Sequence, residues 1–335
     1  MKIGLTYDDV LLVPQYSDIR SRSLVSIETD LGKEIKLNVP IIASPMDTVS
    51  EEDMSYGLAN MGGISVIHRY GSIEEQSAII ASLPSDILVG AAVGVAGDFE
   101  DRSRAAFEAG AKLICIDVAH GHHILMKEAV ATIRELLPDV HIMAGNVATL
   151  EGFNDLADWG ADSIRCNIGG GSICTTRIQT GHGVPGLQTI FDCAKSDRDA
   201  KIIADGGIKN SGDIVKALAA GADAVMLGSL LAGTDMAPGK TFKGSSGELR
   251  KSYRGMASAA AQKDWRGRVS SCEGVATSVP YKGDLHSVIS ELVRGVRSGF
   301  SYSGAKNIKE LQAKCRWLKQ SGASIVESAD HVRHL

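Results

Sequence analysis

Short apolar runs and amphipathic stretches alternate along this chain. Apolar runs at 39–46, 62–68, 88–95, 112–119, 141–148, 163–169, 201–207 and 224–229 are brief and nearly unbroken, the pattern of strands buried on both faces of a parallel sheet. Between them the period is helical. The stretch 99–110 carries Phe99, Ala106, Phe107 and Ala109, and 124–137 carries Ile124, Leu125, Ala129, Ile133 and Leu136 ahead of Pro138. The helical stretches 99–110, 149–160 and 211–221 each end on a glycine followed by alanine, and glycine is a usual helix stop. One strand–helix unit is thus used repeatedly, and eight such units predict an α/β fold, the closed (β/α)₈ barrel. A doubly wound open sheet is the competing layout, but no G-x-G-x-x-G follows the first strand. Beyond the eighth strand, 237–280 is rich in Gly, Ser and Lys without a period, and predicts a long functional loop, a flap. Helices at 285–297 and 307–320 close the chain.

Composition narrows the class. The chain has 335 residues, 44% of them hydrophobic, whereas a barrel of this kind needs about 250. One barrel domain spanning 1–335, flap included, is therefore expected. The formal net charge is -5 with no block of like charge, which argues against a nucleic-acid surface. A local phosphate site remains open, because backbone N–H groups can build one. No apolar run reaches the roughly 20 residues of a membrane span, and the first ten residues lack a signal-peptide core. The six cysteines never form C-x-x-C and read as reduced thiols of a cytoplasmic protein.

Barrel enzymes work at the C-terminal ends of their strands, so the residues after each run carry the candidate chemistry. After the sixth strand comes Gly169-Gly170-Gly171-Ser172-Ile173-Cys174-Thr175-Thr176-Arg177. Its glycines let the backbone approach a ligand, Ser172 can bond a phosphate, and the polar setting of Cys174 suits a thiolate nucleophile. The same loop also reads as a flexible turn with an inert thiol. Gly206-Gly207 after the seventh strand and Gly228-Ser229 after the eighth occupy the positions where barrels hold phosphate, with Asp205 placed for ribose hydroxyls. Asp117 ends the fourth strand and can pair with a sugar hydroxyl or cap a loop. Asn146 ends the fifth and can face a base or fill a turn. His120, His122 and His123 invite a metal, yet no carboxylate spacing of a known site accompanies them. Glu273, late in the flap, can act as acid or base once the flap closes, or is a solvated charge.

Taken together, Gly169–Arg177, Asp205-Gly206-Gly207, Gly228-Ser229 and Tyr253-Arg254-Gly255-Met256 resemble the family of IMP dehydrogenases and GMP reductases. The similarity begins at Tyr7-Asp8-Asp9-Val10, includes Pro45-Met46-Asp47-Thr48-Val49, and runs to about Glu310. The resemblance implies that Cys174 adds to C2 of the purine and that Thr176 pairs with Glu273 to move protons. It implies that Ser172, Gly207, Gly228, Ser229 and Tyr253 hold the 5′-phosphate, and that Asp205 binds the ribose. Gly255 and Met256 would border the base. Asp117, with Ala119 two residues on, would face a nicotinamide cofactor. A monovalent cation, K⁺, would sit on the carbonyls of Gly169, Gly171 and Cys174, and the assembly would be a homotetramer.

Within the family the chain reads as the reductase, which uses NADPH to convert GMP to IMP and ammonia through a covalent Cys174 thioimidate. Dehydrogenases usually carry paired regulatory domains after the second strand, but here His68-Arg69-Tyr70 leads through one helix straight to Leu88. Dehydrogenases also need an Arg-Tyr pair on the flap to activate water, and none occurs between Met256 and Gly283. Gly186 stands where members commonly have Gln, and 262–268 matches neither subgroup well. An IMP dehydrogenase using NAD is the first alternative. A flavin-dependent barrel enzyme would have no use for the Cys loop and would purify yellow. A non-catalytic nucleotide-binding protein would bind GMP without an adduct.

Overall fold

Eight parallel strands close on themselves in the computed structural model, which describes residues 3–269 and 273–328. They are β1 (Ile41–Ala43), β2 (Ile64–Ile67), β3 (Val89–Val93), β4 (Leu113–Asp117), β5 (His141–Val147), β6 (Ser163–Cys166), β7 (Lys201–Asp205) and β8 (Ala224–Leu227). Each pairs with the next, and β8 returns to β1 through Val225↔Ile41, Met226↔Ile42 and Leu227↔Ala43. Every strand falls inside one of the eight apolar runs. The ring helices are α1 (Glu52–Asn60), α2 (Ile73–Ser82), α3 (Phe99–Glu108), α4 (Ile124–Leu136), α5 (Leu150–Asp158), α6 (Gly186–Cys193), α7 (Ser211–Ala219) and α8 (Leu285–Tyr302). After the flap the chain returns to the ring as α8, which packs against α7 and α1.

Side chains alternate across a strand, and that alternation places the chemistry. Leu113, Cys115, Met143, Ile203, Ala224 and Met226 fill the barrel interior, while Ile114, Ile116, Ile142, Ile164 and Ala204 pack outward with the helices. Leu31, Ile35 and Leu37 come from the hairpin Thr29–Asp30/Lys36–Leu37 and plug the bottom. Two residues beyond Cys115 the inward face reaches Asp117, and two beyond Ile203 it reaches Asp205. The interior thus runs from aliphatic plug to a charged mouth, where any site must lie.

Two expectations are corrected. The segment 237–280 is not an aperiodic loop. Leu249–Arg254 pairs antiparallel with Ala276–Pro280 from Arg250↔Pro280 to Arg254↔Ala276, Phe242–Lys243 flanks it, and Ala259–Arg266 forms a helix. The strand was disguised because one of its two inward positions is Lys251. That lysine is almost fully buried, with its ammonium donating to the carbonyls of Thr234 and Ala237. At the C-terminus the helix predicted over 307–320 ends at Lys314. Trp317–Lys319 leaves as a strand and pairs antiparallel with Val10–Leu12, tying the two ends of the chain together.

Candidate active site

A buried arginine organises the mouth of the barrel. Arg165 is an inward residue of β6, and its guanidinium bridges two carboxylates. Nη1 donates to Asp117 Oδ1 (2.5 Å), while Nη2 and Nε donate to Asp205 Oδ2 (2.9 and 3.1 Å). Burial opposes the charge, but the facing Asp117 and Asp205 outweigh it and hold the guanidinium protonated. Asn146 Nδ2 also donates to Asp205 Oδ2 (2.8 Å) and to the Asn167 carbonyl (3.1 Å). Among the described residues all three donors to the Asp205 side chain therefore use one oxygen, Oδ2.

The Cys loop and the flap meet above this layer. Cys174 Sγ donates to Thr176 Oγ1 (3.2 Å), and Thr176 Oγ1 donates to Glu273 Oε2 (2.8 Å). Backbone bonds fix the register of that chain: Thr175 N–H to the Glu273 carbonyl (2.9 Å) and Val275 N–H to the Ile173 carbonyl (3.1 Å). Thiol, hydroxyl and carboxylate thus form one continuous path for a proton. Two other cysteines show why Cys174 is the reactive candidate. Cys115 and Cys166 lie inside the protein, where burial pushes the first thiol up to about 12 and raises the second as well, so neither supplies a thiolate. Cys174 is half-buried at a cavity wall.

That wall divides two cavities. The smaller, about 190 Å³, is lined by Ser172, Gly206, Gly207, Gly228, Ser229, Tyr253, Gly255 and Met256. Gly206 and Gly207 have φ of +84° and +77°, a region open to glycine at no steric cost. A Cβ on Gly228 would lie 2.8 Å from Tyr253 Oη. Burial raises the Tyr253 hydroxyl above its usual range, so it remains a donor beside Ser172 Oγ at 3.4 Å. The larger cavity, about 360 Å³, is lined by Asp117, Ala119, Asn146, Gly169, Gly171, Arg165 and Arg69. Cys174, Asp205 and Glu273 border both. Two ligands can therefore meet over one thiol.

A model of the IMP dehydrogenase / GMP reductase domain matches residues 4–331. The chain belongs to this family. It is 34% identical to an inosine-5′-monophosphate dehydrogenase of Nitrosopumilus maritimus, with 98% of each chain covered. It is 33% identical to a GMP reductase of Leishmania major, over 98% of this chain and 96% of that one. A cysteine variant of GMP reductase from Trypanosoma brucei, solved with guanosine 5′-monophosphate, superposes with a TM-score of 0.95 at 32% identity, covering 99% and 98% of the two chains. The protein is thus an oxidoreductase of purine nucleotide metabolism. Both sequence alignments run far past the 335 residues of this chain, over 469 and 476 positions. The reductase relative carries extra sequence as the dehydrogenase does, so absence of an insertion does not separate the activities.

Gly186 and the histidines have local structural roles. Gly186, at the usual Gln position, opens space that Asn167 and the Tyr7 ring occupy, 3.3 and 3.6 Å from where its Cβ would stand. The histidines have local work: His122 Nε2 meets Asp155 Oδ2 at 2.7 Å, and His123 Nδ1 accepts from Leu125 N–H to cap α4. Among the described residues no group of three or more His, Cys, Asp or Glu is placed to hold a metal. Asn146 lines the larger cavity. Arg165 is a site residue that the strand pattern does not single out, although it stands as a lone charge inside the apolar run 163–169.

Asp205→Ala is expected to cost about 1–3 kcal/mol of stability, because Arg165 keeps Asp117 but its Nε and Nη2 lose their acceptor. Asp205→Asn keeps the shape and leaves Arg165 its Asp117 contact, so it should retain most of the fold. If Asp205 binds ribose, nucleotide affinity falls in Asp205→Asn. Thermal melting and nucleotide titration on the two variants separate the roles, and undiminished affinity in folded Asp205→Asn would remove the residue from the nucleotide site.

Proposed function

We propose that this chain is a GMP reductase, a single barrel domain without inserted regulatory domains, converting GMP to IMP and ammonia at the expense of NADPH. The observation that carries the reading is the Cys174–Thr176–Glu273 proton path, on a flap whose sequence from Met256 to Gly283 has no Arg-Tyr pair to activate water. The Trypanosoma reductase with bound GMP supports it as a structural neighbour.

The smaller cavity would take the nucleotide. Ser172, Gly207, Gly228, Ser229 and Tyr253 would hold its phosphate, Asp205 its ribose, and Gly255 and Met256 its base. Cys174 sulfur then bonds to C2 of GMP. The thiol proton passes by Thr176 and Glu273 to the 2-amino group, which leaves as ammonia, and a thioimidate remains on the enzyme. Splitting the reaction through this adduct exchanges one hard displacement for two easier steps. The larger cavity fits a nicotinamide ring, since it opens onto the same thiol beside Asp117 and Ala119. When bound there, the cofactor supplies the hydride that reduces C2. Cys174 departs as thiolate, IMP is released, and a proton restores the thiol.

A monovalent cation such as K⁺ would use the carbonyls of Gly169, Gly171 and Cys174. Among the described residues the Gly171 carbonyl accepts only the Cys174 N–H (3.1 Å) in the backbone network, and a carbonyl has a second lone pair. The assembly would be a cytoplasmic homotetramer. The identities of 33–35% to both enzymes favour IMP dehydrogenase as the second reading. The test is absorbance of the reduced cofactor in two mixtures. GMP with NADPH should lose absorbance and release IMP and ammonia. Absorbance gained from IMP with NAD, with steady XMP release, would instead make the chain a dehydrogenase. Binding of GMP with neither change would leave a non-catalytic protein.

A further inference from the structure

Arg69 follows β2 at the barrel mouth and lines the larger cavity. Among the described residues its guanidinium donates one hydrogen bond, from Nη2 to the Asp117 carbonyl at 3.3 Å, and Nε is buried without a partner. No carboxylate pairs with it. Arg102 and Arg165 show how this chain otherwise treats buried guanidinium groups. The first is bonded to Asp98, Gln76 and the carbonyls of Gly71 and Ser72, the second to Asp117, Asp205 and Cys115. An underbonded cation half-buried at a cavity is costly unless something else completes it.

Its surroundings define what that is. The guanidinium carbon lies 5.4 Å from the Tyr70 ring centroid and 5.3 Å from that of Trp265 on the flap helix, and the two rings meet edge to face at 4.6 Å. Stacking of this kind holds the guanidinium plane while its edge N–H groups stay available. The other charges of the cavity are Asp117, Asp205 and Glu273, against Arg165 alone, and Arg165 is consumed by two of those three. Without Arg69 the cavity would repel an anion. With it, the cavity has one planar, two-pronged donor with spare N–H groups, suited to phosphate oxygens. It lies on the β2–β4 side, away from the Gly turns after β7 and β8.

We infer that Arg69, stacked on Tyr70 and Trp265, is the anion-binding residue of the larger cavity and takes the pyrophosphate of the dinucleotide cofactor. This rests on the reading of that cavity as the cofactor site, but not on which nicotinamide dinucleotide is used, since all carry a pyrophosphate. Because Trp265 belongs to the flap helix, cofactor phosphate and flap meet at one side chain.

The test is direct binding, followed by fluorescence of the reduced nicotinamide ring. NADPH, NADH and reduced nicotinamide riboside, which has the ring but no phosphate, are titrated into intact wild type, Arg69→Gln and Arg69→Lys. Arg69→Gln should weaken both dinucleotides about tenfold to a hundredfold, the range of charge-assisted hydrogen bonds. Arg69→Lys should fall between, keeping the charge without the fork. Riboside binding and GMP affinity should match wild type in both variants, which also reports an intact fold. Dinucleotide binding by Arg69→Gln at wild-type strength would overturn the assignment while leaving the functional reading intact. Equal weakening of riboside and dinucleotide would overturn it too, since Arg69 would then shape the cavity rather than bind phosphate. If wild type binds neither dinucleotide, the functional reading fails and this inference with it.

Discussion

Cys174→Ala is expected to lower turnover by at least about 10⁴-fold, the scale on which losing a covalent nucleophile is felt, and to leave nucleotide affinity nearly unchanged. The two effects separate because the groups that would hold the nucleotide come from other elements: Asp205 to Gly207 after β7, Gly228 and Ser229 after β8, Tyr253 from the flap strand. Cys174 contributes one sulfur at the wall between the cavities, and its loop is held by backbone bonds from Cys174, Thr175 and Val275 that alanine preserves. Wild type incubated with GMP alone should gain the mass of a nucleotide adduct less ammonia, and Cys174→Ala should gain nothing. Substantial turnover in the variant would rule out the covalent route. Loss of GMP binding along with turnover would mean instead that the loop had collapsed.

The barrel was legible because its strands are buried on both faces, and such strands print an apolar run whatever surrounds them. Legibility failed where a strand buries a charge. Lys251 interrupts the flap strand's alternation, and its buried position is tolerable only because carbonyls of Thr234 and Ala237, remote in sequence, receive its protons. Arg165 is the same case inside the barrel: its acceptability depends on Asp117 and Asp205, which lie 48 and 40 residues away. A long-range partner leaves no local pattern. The Cys loop and Gly turns were readable because glycine clusters at strand ends have few other uses. The Arg69–Tyr70–Trp265 cluster was not, because it joins the end of β2 to a helix almost two hundred residues later.

Glu273→Gln is expected to slow GMP reduction by about 10²–10⁴-fold, the usual contribution of a general acid–base group, while sparing hydride transfer. Glutamine is nearly isosteric and can still accept the Thr176 hydroxyl bond, and the flap register rests on the Glu273 carbonyl and its neighbours rather than on the side chain. What the substitution removes is a group able to take a proton and return it. Departure of ammonia from C2 requires that proton. Hydride transfer between C2 and the nicotinamide requires none from Glu273. The half-reactions can be run apart: GMP with NADPH passes through both steps, whereas IMP with NADP forms the thioimidate as Cys174 loses its proton to solvent and C2 loses hydride to the cofactor, and stops. A rapid burst of reduced cofactor from IMP should therefore survive in Glu273→Gln at close to wild-type amplitude and rate, with steady-state GMP reduction collapsed. Equal slowing of both would assign the carboxylate to holding the flap in place. If the burst in wild type is followed by continuous XMP release, water is reaching the adduct, and the dehydrogenase reading replaces the reductase. Glu273 would then be expected to govern hydrolysis, the one step of that reaction that also needs a proton moved at C2.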